Sequence, residues 1–199
     1  CGPSSGRTES FSKKEIGERK KTLMRRVIIT MFCISAVGVA ADGPWDRTEA
    51  NGDRNRLYLL ACWKYTGGWL QHADPTTALI PRNLSKDFYW NARDAAADNY
   101  PFMVLSAFYT DRALFEGRMK RMLEMEQRHT NRIERLPDDF AFATQAFRTP
   151  EPKLDDLIFG AAEYAKDGLI PLTELLGPSA WSDRMLGMLD DIWTHAQYV

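Results

Sequence analysis

The sequence has few cysteines and histidines, and none of them has the spacing of a metal or redox site. Three cysteines and three histidines occur among 199 residues. The zinc and thiol patterns CxxC and HExxH are absent, which excludes the commonest metal and disulfide-exchange motifs. The phosphate-binding patterns GxxxxGK[ST] and GxGxxG are also missing. The sequence therefore predicts no metal site and no cofactor.

An excess of charge of one sign is missing as well. The chain has 26 Lys and Arg against 27 Asp and Glu, a net charge of −1. Basic side chains concentrate at the start, and residues 42–199 carry 18 basic against 24 acidic side chains, a net of −6. Because phosphate backbones attract strongly cationic proteins, nucleic acid is not an expected partner.

The N-terminal region lacks an apolar run of the roughly 20 residues that span a bilayer. The uncharged stretch VIITMFCISAVGVA covers residues 27–40, follows Arg25 and Arg26, and precedes Ala41. This order predicts a signal peptide over residues 24–41, with residues 1–23 as a disordered upstream leader. A transmembrane anchor is the less favoured alternative, because the run is short. We expect a periplasmic or extracellular protein that meets the membrane only during export, with a mature domain over residues 42–199.

The mature region has the periodicity of helices. Apolar residues at 3/4 spacing predict helices over about 54–72, 93–109, 111–128, 155–166 and from residue 179 onward. Either Thr110 or Asp111 is the predicted N-cap of the third helix, and Ser179 that of the last. Gly168 and Pro171 predict a break after the fourth helix. Phe140 and Phe142 predict a short extended insert. The fold class expected is all-α, built of antiparallel helical hairpins with this small insert.

An aromatic loop precedes the second helix. Residues 57–109 hold eleven aromatic side chains, and Tyr89 and Trp90 stand directly before Asn91, Arg93 and Asp94. Flat apolar rings beside fixed polar groups are what a sugar ring requires. The residues assigned to substrate binding are Arg82, Tyr89, Trp90, Asn91, Arg93, Asn99 and Lys166. An alternative stays open, in which the rings pack the loop and Asp94 stabilises a helix N-terminus.

Carboxylates supply the candidate catalytic groups. Asp94 and Asp98 lie at i and i+4 on one helix face, where their repulsion raises a pKa. Glu163 and Asp167 cluster with Lys166 in a second segment, and these four carboxylates are the predicted catalytic residues. Tyr164 with Lys166 would suit proton abstraction in a lyase. The alternative interpretation is a solvated helix end without chemistry.

Other carboxylates have simpler expected roles. Asp74 and Asp156 are further candidates for a second catalytic carboxylate. We expect Asp155 to cap a helix, and the pairs at 138–139 and 190–191 to lie in a turn and on the solvated side of the last helix. Cys62, between apolar neighbours, is expected to be a structural thiol.

The stretches GWLQHADPTTALIPRN and DFYWNARDAAADNYPFMVLSAFYTD resemble the N-terminal hairpins of six-hairpin, or (α/α)6 toroid, carbohydrate-active enzymes. The resemblance extends over roughly residues 54–197. It implies a toroid in which helix pairs direct acidic and aromatic residues to one end, where they bind an oligosaccharide or polysaccharide. Tyr89, Trp90, Asn91, Arg93 and Asp94 map to that rim, and no catalytic residue is transferred individually.

Three functions follow as expectations. The leading one is an exported glycoside hydrolase-like enzyme, represented here by an incomplete chain, because a full toroid has twelve helices. The first alternative is a non-catalytic, exported helical domain that binds glycans or proteins, and the second is a polysaccharide lyase. The sequence leaves the glycan, the linkage and the oligomeric state open.

Overall fold

A computed structural model describes residues 43–196 of the chain. The described chain divides into two units between Asn51 and Gly52, and the second unit holds all the described residues from 52 onward. The predicted leader and signal peptide lie outside the described residues. About 68% of the described residues are helical, in five helices, and a small antiparallel sheet accompanies them. The predicted all-α character and the small extended insert are confirmed at this level.

The five helices are numbered α1 to α5 in chain order. Helix α1 covers Pro44–Leu70. Helix α2 is a π-helical segment Ala92–Asn99 followed directly by an α-helical segment Tyr100–Thr110. Helix α3 continues through Arg112–Leu114, the π-helical Phe115–Met119, and Lys120–Thr130. Helix α4 runs through Leu154–Glu163, the π-helical Tyr164–Leu169, and Ile170–Leu176. Helix α5 covers Ala180–His195.

Short strands connect the helices. The strand β1, Tyr89–Trp90, pairs with β4, Phe140–Ala141, and β4 pairs with β5, Ala146–Phe147, giving a three-stranded antiparallel sheet. Trp90 lies opposite Phe140 in this sheet. A second antiparallel pair joins β2, Asn131–Ile133, to β3, Leu136–Pro137, with an irregular register. The first sheet ties the loop before α2 to the insert between α3 and α4.

Side-chain caps set two of the helix starts where the sequence predicts them. The Asp111 carboxylate accepts a hydrogen bond from the backbone N–H of Leu114 at 2.9 Å. Ser179 and Ser182 form a reciprocal capping box at the start of α5. Such caps satisfy N–H groups that have no partner within the helix. The structure therefore selects Asp111 over Thr110 as the cap of α3, and it confirms Ser179 as the cap of α5.

The predicted break at Gly168 is wrong, because α4 continues through it. An ideal Cβ at Gly168 would lie 2.9 Å from Cγ of Pro101 and 3.1 Å from the Ala96 carbonyl oxygen. Glycine is required here because the second and fourth helices approach each other closely, as a missing side chain permits. Pro171 lies just after the π-helical segment Tyr164–Leu169, and α4 continues through this proline as well.

The core lies where α2, α3, α4 and α5 meet. Trp181 is 1% exposed and donates a hydrogen bond from its indole nitrogen to the Tyr100 hydroxyl at 2.8 Å. Tyr100 in turn donates to the Met119 carbonyl oxygen at 2.7 Å. Arg184 and Glu126 form a buried ion pair, with 2.6 Å between Nη2 and Oε1. These satisfied polar groups join α2, α3 and α5 through the core.

Helix α1 contributes little to this core. Thr66 is the buried residue within it, whereas Leu57, Tyr58 and Trp63 are 61%, 66% and 50% exposed. Cys62 is half-buried, so the expectation of a buried structural thiol is only partly met. Among the described helices, none combines the length and apolar character needed to cross a bilayer.

Candidate active site

The structure brings the two predicted carboxylate segments together. Asp94 and Asp98 lie in the segment Ala92–Asn99 of α2. Glu163 ends one segment of α4, and Asp167 lies in the next. The close approach at Gly168 fixes the two helices side by side. Residues more than 60 positions apart in sequence therefore share one surface, the acidic cluster, which we define as Asp94, Asp98, Glu163 and Asp167.

The charges of the other three carboxylates of the cluster all act on Asp98. Partial desolvation raises the pKa of the Asp98 carboxyl, and the negative charges of Asp94, Asp167 and Glu163 raise it further. Like charges in proximity disfavour a further ionised carboxylate. Among residues 43–196, the Asp98 side chain has no hydrogen bond or ion pair, so its carboxyl group is free to contact a ligand.

Asp94 is held by fixed partners. Arg82 Nε lies 3.1 Å from Asp94 Oδ2 in an ion pair, and the Asn91 side-chain amide donates to the same oxygen at 2.7 Å. The Asn91 side-chain oxygen accepts from the backbone N–H groups of Asp94 and Ala95 at 3.1 and 3.0 Å. Asn91 is therefore the N-cap of α2 and also orients the Asp94 carboxylate. Asp94 itself lies in the first turn of α2, as the alternative interpretation of this segment expected.

The α4 side of the cluster carries one cation. Lys166 Nζ lies 2.8 Å from Glu163 Oε1 and 3.3 Å from Asp167 Oδ2. Hydrogen bonds to these two carboxylates raise the pKa of Lys166. All three side chains keep contact with solvent. The cluster thus combines four carboxylates with two cations, Lys166 and Arg82, and keeps an acidic balance.

Asn99 extends the cluster toward α1 and identifies a neighbour that sequence reasoning missed. The Asn99 side-chain amide donates to the Asp94 carbonyl oxygen at 3.1 Å, and its side-chain oxygen accepts from the Tyr65 hydroxyl at 2.5 Å. Burial raises the pKa of Tyr65, and the charge of Asp98 contributes in the same direction. The aromatic residues of α1 were the only hint of this neighbour in the sequence. The sequence does not show that Tyr65 lies close to Asn99 in space.

The aromatic loop does not form an exposed rim. Tyr89 and Trp90 are 6% and 2% exposed, because the pairing of β1 with β4 draws both residues into the core. Arg82 donates to the Tyr89 hydroxyl at 2.5 Å, and the Arg148 guanidinium lies 3.7 Å from the centre of the Tyr89 ring. These burials correct the expectation of solvent-facing rings. Saccharide binding by this loop stays a prediction.

Arg93 was expected to bind substrate beside Asp94, but its contacts are with residues of α4. Its guanidinium lies 5.0 Å from the centre of the Phe159 ring, and Nη2 lies 3.8 Å from Asp156 Oδ1. Arg93 also lines a cavity between the start of α2, the start of α4 and the loop after β3. Its contacts are therefore separate from those of the acidic cluster.

The lyase residues are not brought together as predicted. Tyr164 is 0% exposed and its buried hydroxyl has no hydrogen-bond partner in the described part of the chain. Burial raises the pKa of Tyr164 well above the ordinary value. Lys166, two residues on, faces solvent with Glu163 and Asp167. A base shut inside the core has no access to a uronate, so the arrangement does not support this pairing.

Two further expectations about carboxylates need correction. Asp191 is 2% exposed and not on a solvated face, because Arg135 from the β2–β3 turn binds it. The N-cap of α4 is Lys153, and Asp155 lies in the first turn. Asp74 accepts from the backbone N–H and the hydroxyl of Thr77, both at 2.8 Å, which gives it a turn-forming role.

Within residues 43–196, no group of three or more His, Cys, Asp or Glu side chains has the geometry to hold a metal ion. No protein-family model, curated protein or solved structure matches this chain. The site is therefore interpreted from its own geometry.

Proposed function

We propose that the protein is an exported, glycoside hydrolase-like enzyme whose acid and base groups come from the acidic cluster. The observation that carries the proposal is the field at Asp98, whose pKa is raised by desolvation and by three neighbouring carboxylates. Glycoside hydrolysis requires one protonated and one ionised carboxyl group at the same site. The proposal is supported by a cluster that opposes the ionisation of Asp98 and holds further carboxyl groups beside it.

The roles follow from the partners of each group. Asp98, which lacks a hydrogen-bond partner within residues 43–196, is the proposed general acid. Asp94 is the proposed base or nucleophile, since Arg82 and Asn91 hold it in one orientation. Glu163 and Asp167 keep the local potential negative. Asn99 and Lys166 supply the donors that would hold sugar hydroxyl groups at this surface.

An (α/α)6 toroid is part of the same proposal, and the resemblance of the aromatic loop region supports it. The five helices and two small antiparallel sheets of residues 43–196 are consistent with a portion of such a fold. The proposed substrate is an oligosaccharide or polysaccharide, and the proposed location is periplasmic or extracellular.

The test is hydrolysis by the full chain of a panel of aryl glycosides and polysaccharides, with reducing ends as the readout. Asp98→Asn should lower kcat by about 10²-fold or more, because general-acid catalysis contributes about 10²–10⁴-fold. Asp183→Asn is the matched control, since Asp183 is an exposed carboxylate in the first turn of α5. Equal turnover by the Asp98 variant and its control would remove the acidic cluster from the mechanism.

The alternative of a non-catalytic binding domain rests on a different surface. An apolar groove of about 420 Å³ is lined by residues of α1 and the end of α2, including Leu59, Leu60, Trp63 and Tyr109. Exposed apolar grooves are a common feature of binding surfaces. Saccharide binding without turnover by any member of the panel would favour this function over hydrolysis.

A further inference from the structure

One face of α1 is apolar and exposed. Four of its residues lie at i, i+3, i+4 and i+7 and therefore share that face: Arg56, Leu59, Leu60 and Trp63. They line the groove of about 420 Å³ whose other wall includes Tyr109 at the end of α2. We call this surface, made by these five residues, the α1 groove.

The outer face of α5 repeats the same spacing of apolar residues. The residues at i, i+3, i+4 and i+7 of this face, which we define as the α5 stripe, are Leu186, Leu189, Asp190 and Trp193. The Trp193 side chain is 74% exposed, and Leu186 is 60% exposed. Because an amphipathic helix normally buries its apolar face, the α1 groove and the α5 stripe are two surfaces that residues 52–196 leave largely uncovered.

The two surfaces have charges of opposite sign. Residues 54–73 hold three basic side chains and no acidic one, whereas α5 holds three acidic side chains and one arginine, a net of −2. Arg56 has no ion pair or side-chain hydrogen bond among the described residues. Asp190 contacts Arg135 at 3.2 Å, but its side chain stays 74% exposed and can accept a second cation. Complementary charges of this kind determine which surfaces meet when proteins associate.

A second copy of the chain is the occupant that suits both surfaces at once. Each copy carries one groove with leucines and a tryptophan beside a guanidinium, and one stripe with leucines and a tryptophan beside a carboxylate. Pairing α1 with α1 would bring Arg56 toward another basic surface. An anionic lipid surface would attract the α1 groove but repel the α5 stripe. The charges therefore favour a contact between the groove of one copy and the stripe of another.

The exposed apolar area favours two such contacts in one dimer. A buried aromatic side chain covers about 150–250 Å², so Trp63, Tyr109 and Trp193 at their exposed fractions offer roughly 300–450 Å² on each copy. The four leucines of the two surfaces bring this total toward the ~800 Å² that each partner of a stable interface buries. A single contact would supply roughly half of that area.

We propose that two copies of the chain form a dimer through two equal contacts, in each of which the α1 groove of one copy binds the α5 stripe of the other. The dimer has a twofold axis, because each copy contributes the same two surfaces to the other. Arg56 of each copy lies toward Asp190 of the other, and the leucine and tryptophan side chains pack between the helices. This dimer does not depend on the proposed hydrolase activity, because neither surface includes a residue of the acidic cluster.

The experiment is sedimentation velocity of the full chain over roughly 1–200 µM, a range in which interfaces of modest affinity dissociate. We expect a reversible equilibrium between monomer and dimer. Leu60→Glu in the groove and Trp193→Glu in the stripe should each raise the dimer dissociation constant about tenfold or more, because each places a charge in both apolar contacts. Leu84→Glu is the matched control, at a leucine that is 47% exposed in the loop before α2, and it should leave the dissociation constant unchanged.

An exchange of charges tests whether the groove faces the stripe. Arg56→Asp and Asp190→Arg should each weaken the dimer, because like charges would then face each other in both contacts. The chain that carries both substitutions should recover a dissociation constant within about threefold of the parent, since opposite charges again face each other. Both side chains are exposed, and thermal unfolding of each variant checks that the monomer is folded.

Four results would overturn the inference. The first is a monomer over the whole concentration range, and binding of that monomer to phosphatidylserine vesicles would then assign the groove to a lipid surface. The second is an oligomer that neither Leu60→Glu nor Trp193→Glu weakens. The third is an effect of only one of these two substitutions, which would assign a contact between two copies of the same helix. The fourth is no recovery in the folded double charge variant, which keeps the test decisive if Leu60→Glu or Trp193→Glu fails to fold.

Discussion

Asp191 of helix α5 binds Arg135 of the β2–β3 turn through three hydrogen bonds across 56 residues of sequence. The Arg135 backbone N–H and Nε both donate to Asp191 Oδ2 at 2.8 Å, and Nη2 donates to Oδ1. Burial alone would raise the pKa of Asp191, but these bonds outweigh it and the net pKa lies below the ordinary value. One carboxylate thus fixes the turn to the last helix.

Asp191→Asn should destabilise the fold at neutral pH by about 2–3 kcal/mol, because charge-assisted hydrogen bonds are lost. The contribution is present above the unfolded-state pKa of the carboxyl and is lost as pH falls through the lower folded-state pKa. The variant and the parent should therefore converge in acid. Urea denaturation at several pH values measures this.

Asp190→Asn is the matched control for that experiment. Asp190 also contacts Arg135, at 3.2 Å, but its side chain is 74% exposed, so its loss should change stability by less than about 1 kcal/mol. Equal effects of the two substitutions would contradict the assignment of Asp191 as the anchoring group.

Gly168→Ala should destabilise the packing of α2 against α4. The new Cβ would meet the Pro101 ring at 2.9 Å, the Ala96 carbonyl oxygen at 3.1 Å and the Tyr164 ring at 3.2 Å. Overpacking of this kind costs about 1–3 kcal/mol, which exceeds the gain of up to about 1 kcal/mol from replacing glycine in a helix. Thermal unfolding gives the sign directly.

Gly117→Ala is the control substitution, and it should not destabilise the protein. Gly117 lies in a helical segment of α3, and an added Cβ would meet nothing within 4 Å. This variant should be as stable as the parent or more stable. A stabilising Gly168→Ala substitution would show that the two helices are not as closely packed as the structure has them.

The sequence predicted the local features because they depend on local physics. Helix periodicity, the Asp111 cap and the Ser179 cap involve residues within a few positions of one another. The burial of Asp191 and the close approach at Gly168 depend on partners more than 50 positions away, Arg135 and Pro101. A pattern of charges or glycines along one segment contains no information about such partners.

The same distinction between local and long-range features applies to the candidate site. The sequence identified the two carboxylate segments, and their convergence around Asp98 follows from helix packing. It also placed Tyr89 and Trp90 on a rim, because nothing local indicates that two loop residues pair with Phe140 and Ala141 in a sheet. Tyr65 and the cavity beside Arg93 were missed for the same reason.

Trp90→Ala should unfold or strongly destabilise the protein. The side chain is 2% exposed, and truncating a buried tryptophan costs about 3–5 kcal/mol. Phe88→Ala is the control two residues earlier, where the ring is 50% exposed. Calorimetric unfolding of both variants should show a much larger loss for Trp90. If Trp90→Ala retained its melting transition and lost only saccharide binding, the ring would belong to a binding surface.

Asp98 gives a pH-dependent test of the acidic cluster that does not need a substrate. Its folded-state pKa is raised, so the folded protein holds this proton more tightly, and ionisation of Asp98 lowers stability as pH rises through its titration range. Asp98→Asn should therefore be more stable than the parent at neutral pH, by less than about 1 kcal/mol because the side chain is solvated. Below the carboxyl titration range the difference should disappear.

Asp183→Asn is the control here as well, because its carboxyl stands in the first turn of α5, outside the cluster. A second comparison uses Glu163→Gln, which removes one of the charges that raise the pKa of Asp98. In that variant the Asp98 titration, followed by NMR of the side-chain carboxyl, should move to lower pH. An unchanged pKa of Asp98 would show that the charge of Glu163 does not act on it. The four carboxylates would then not form one site.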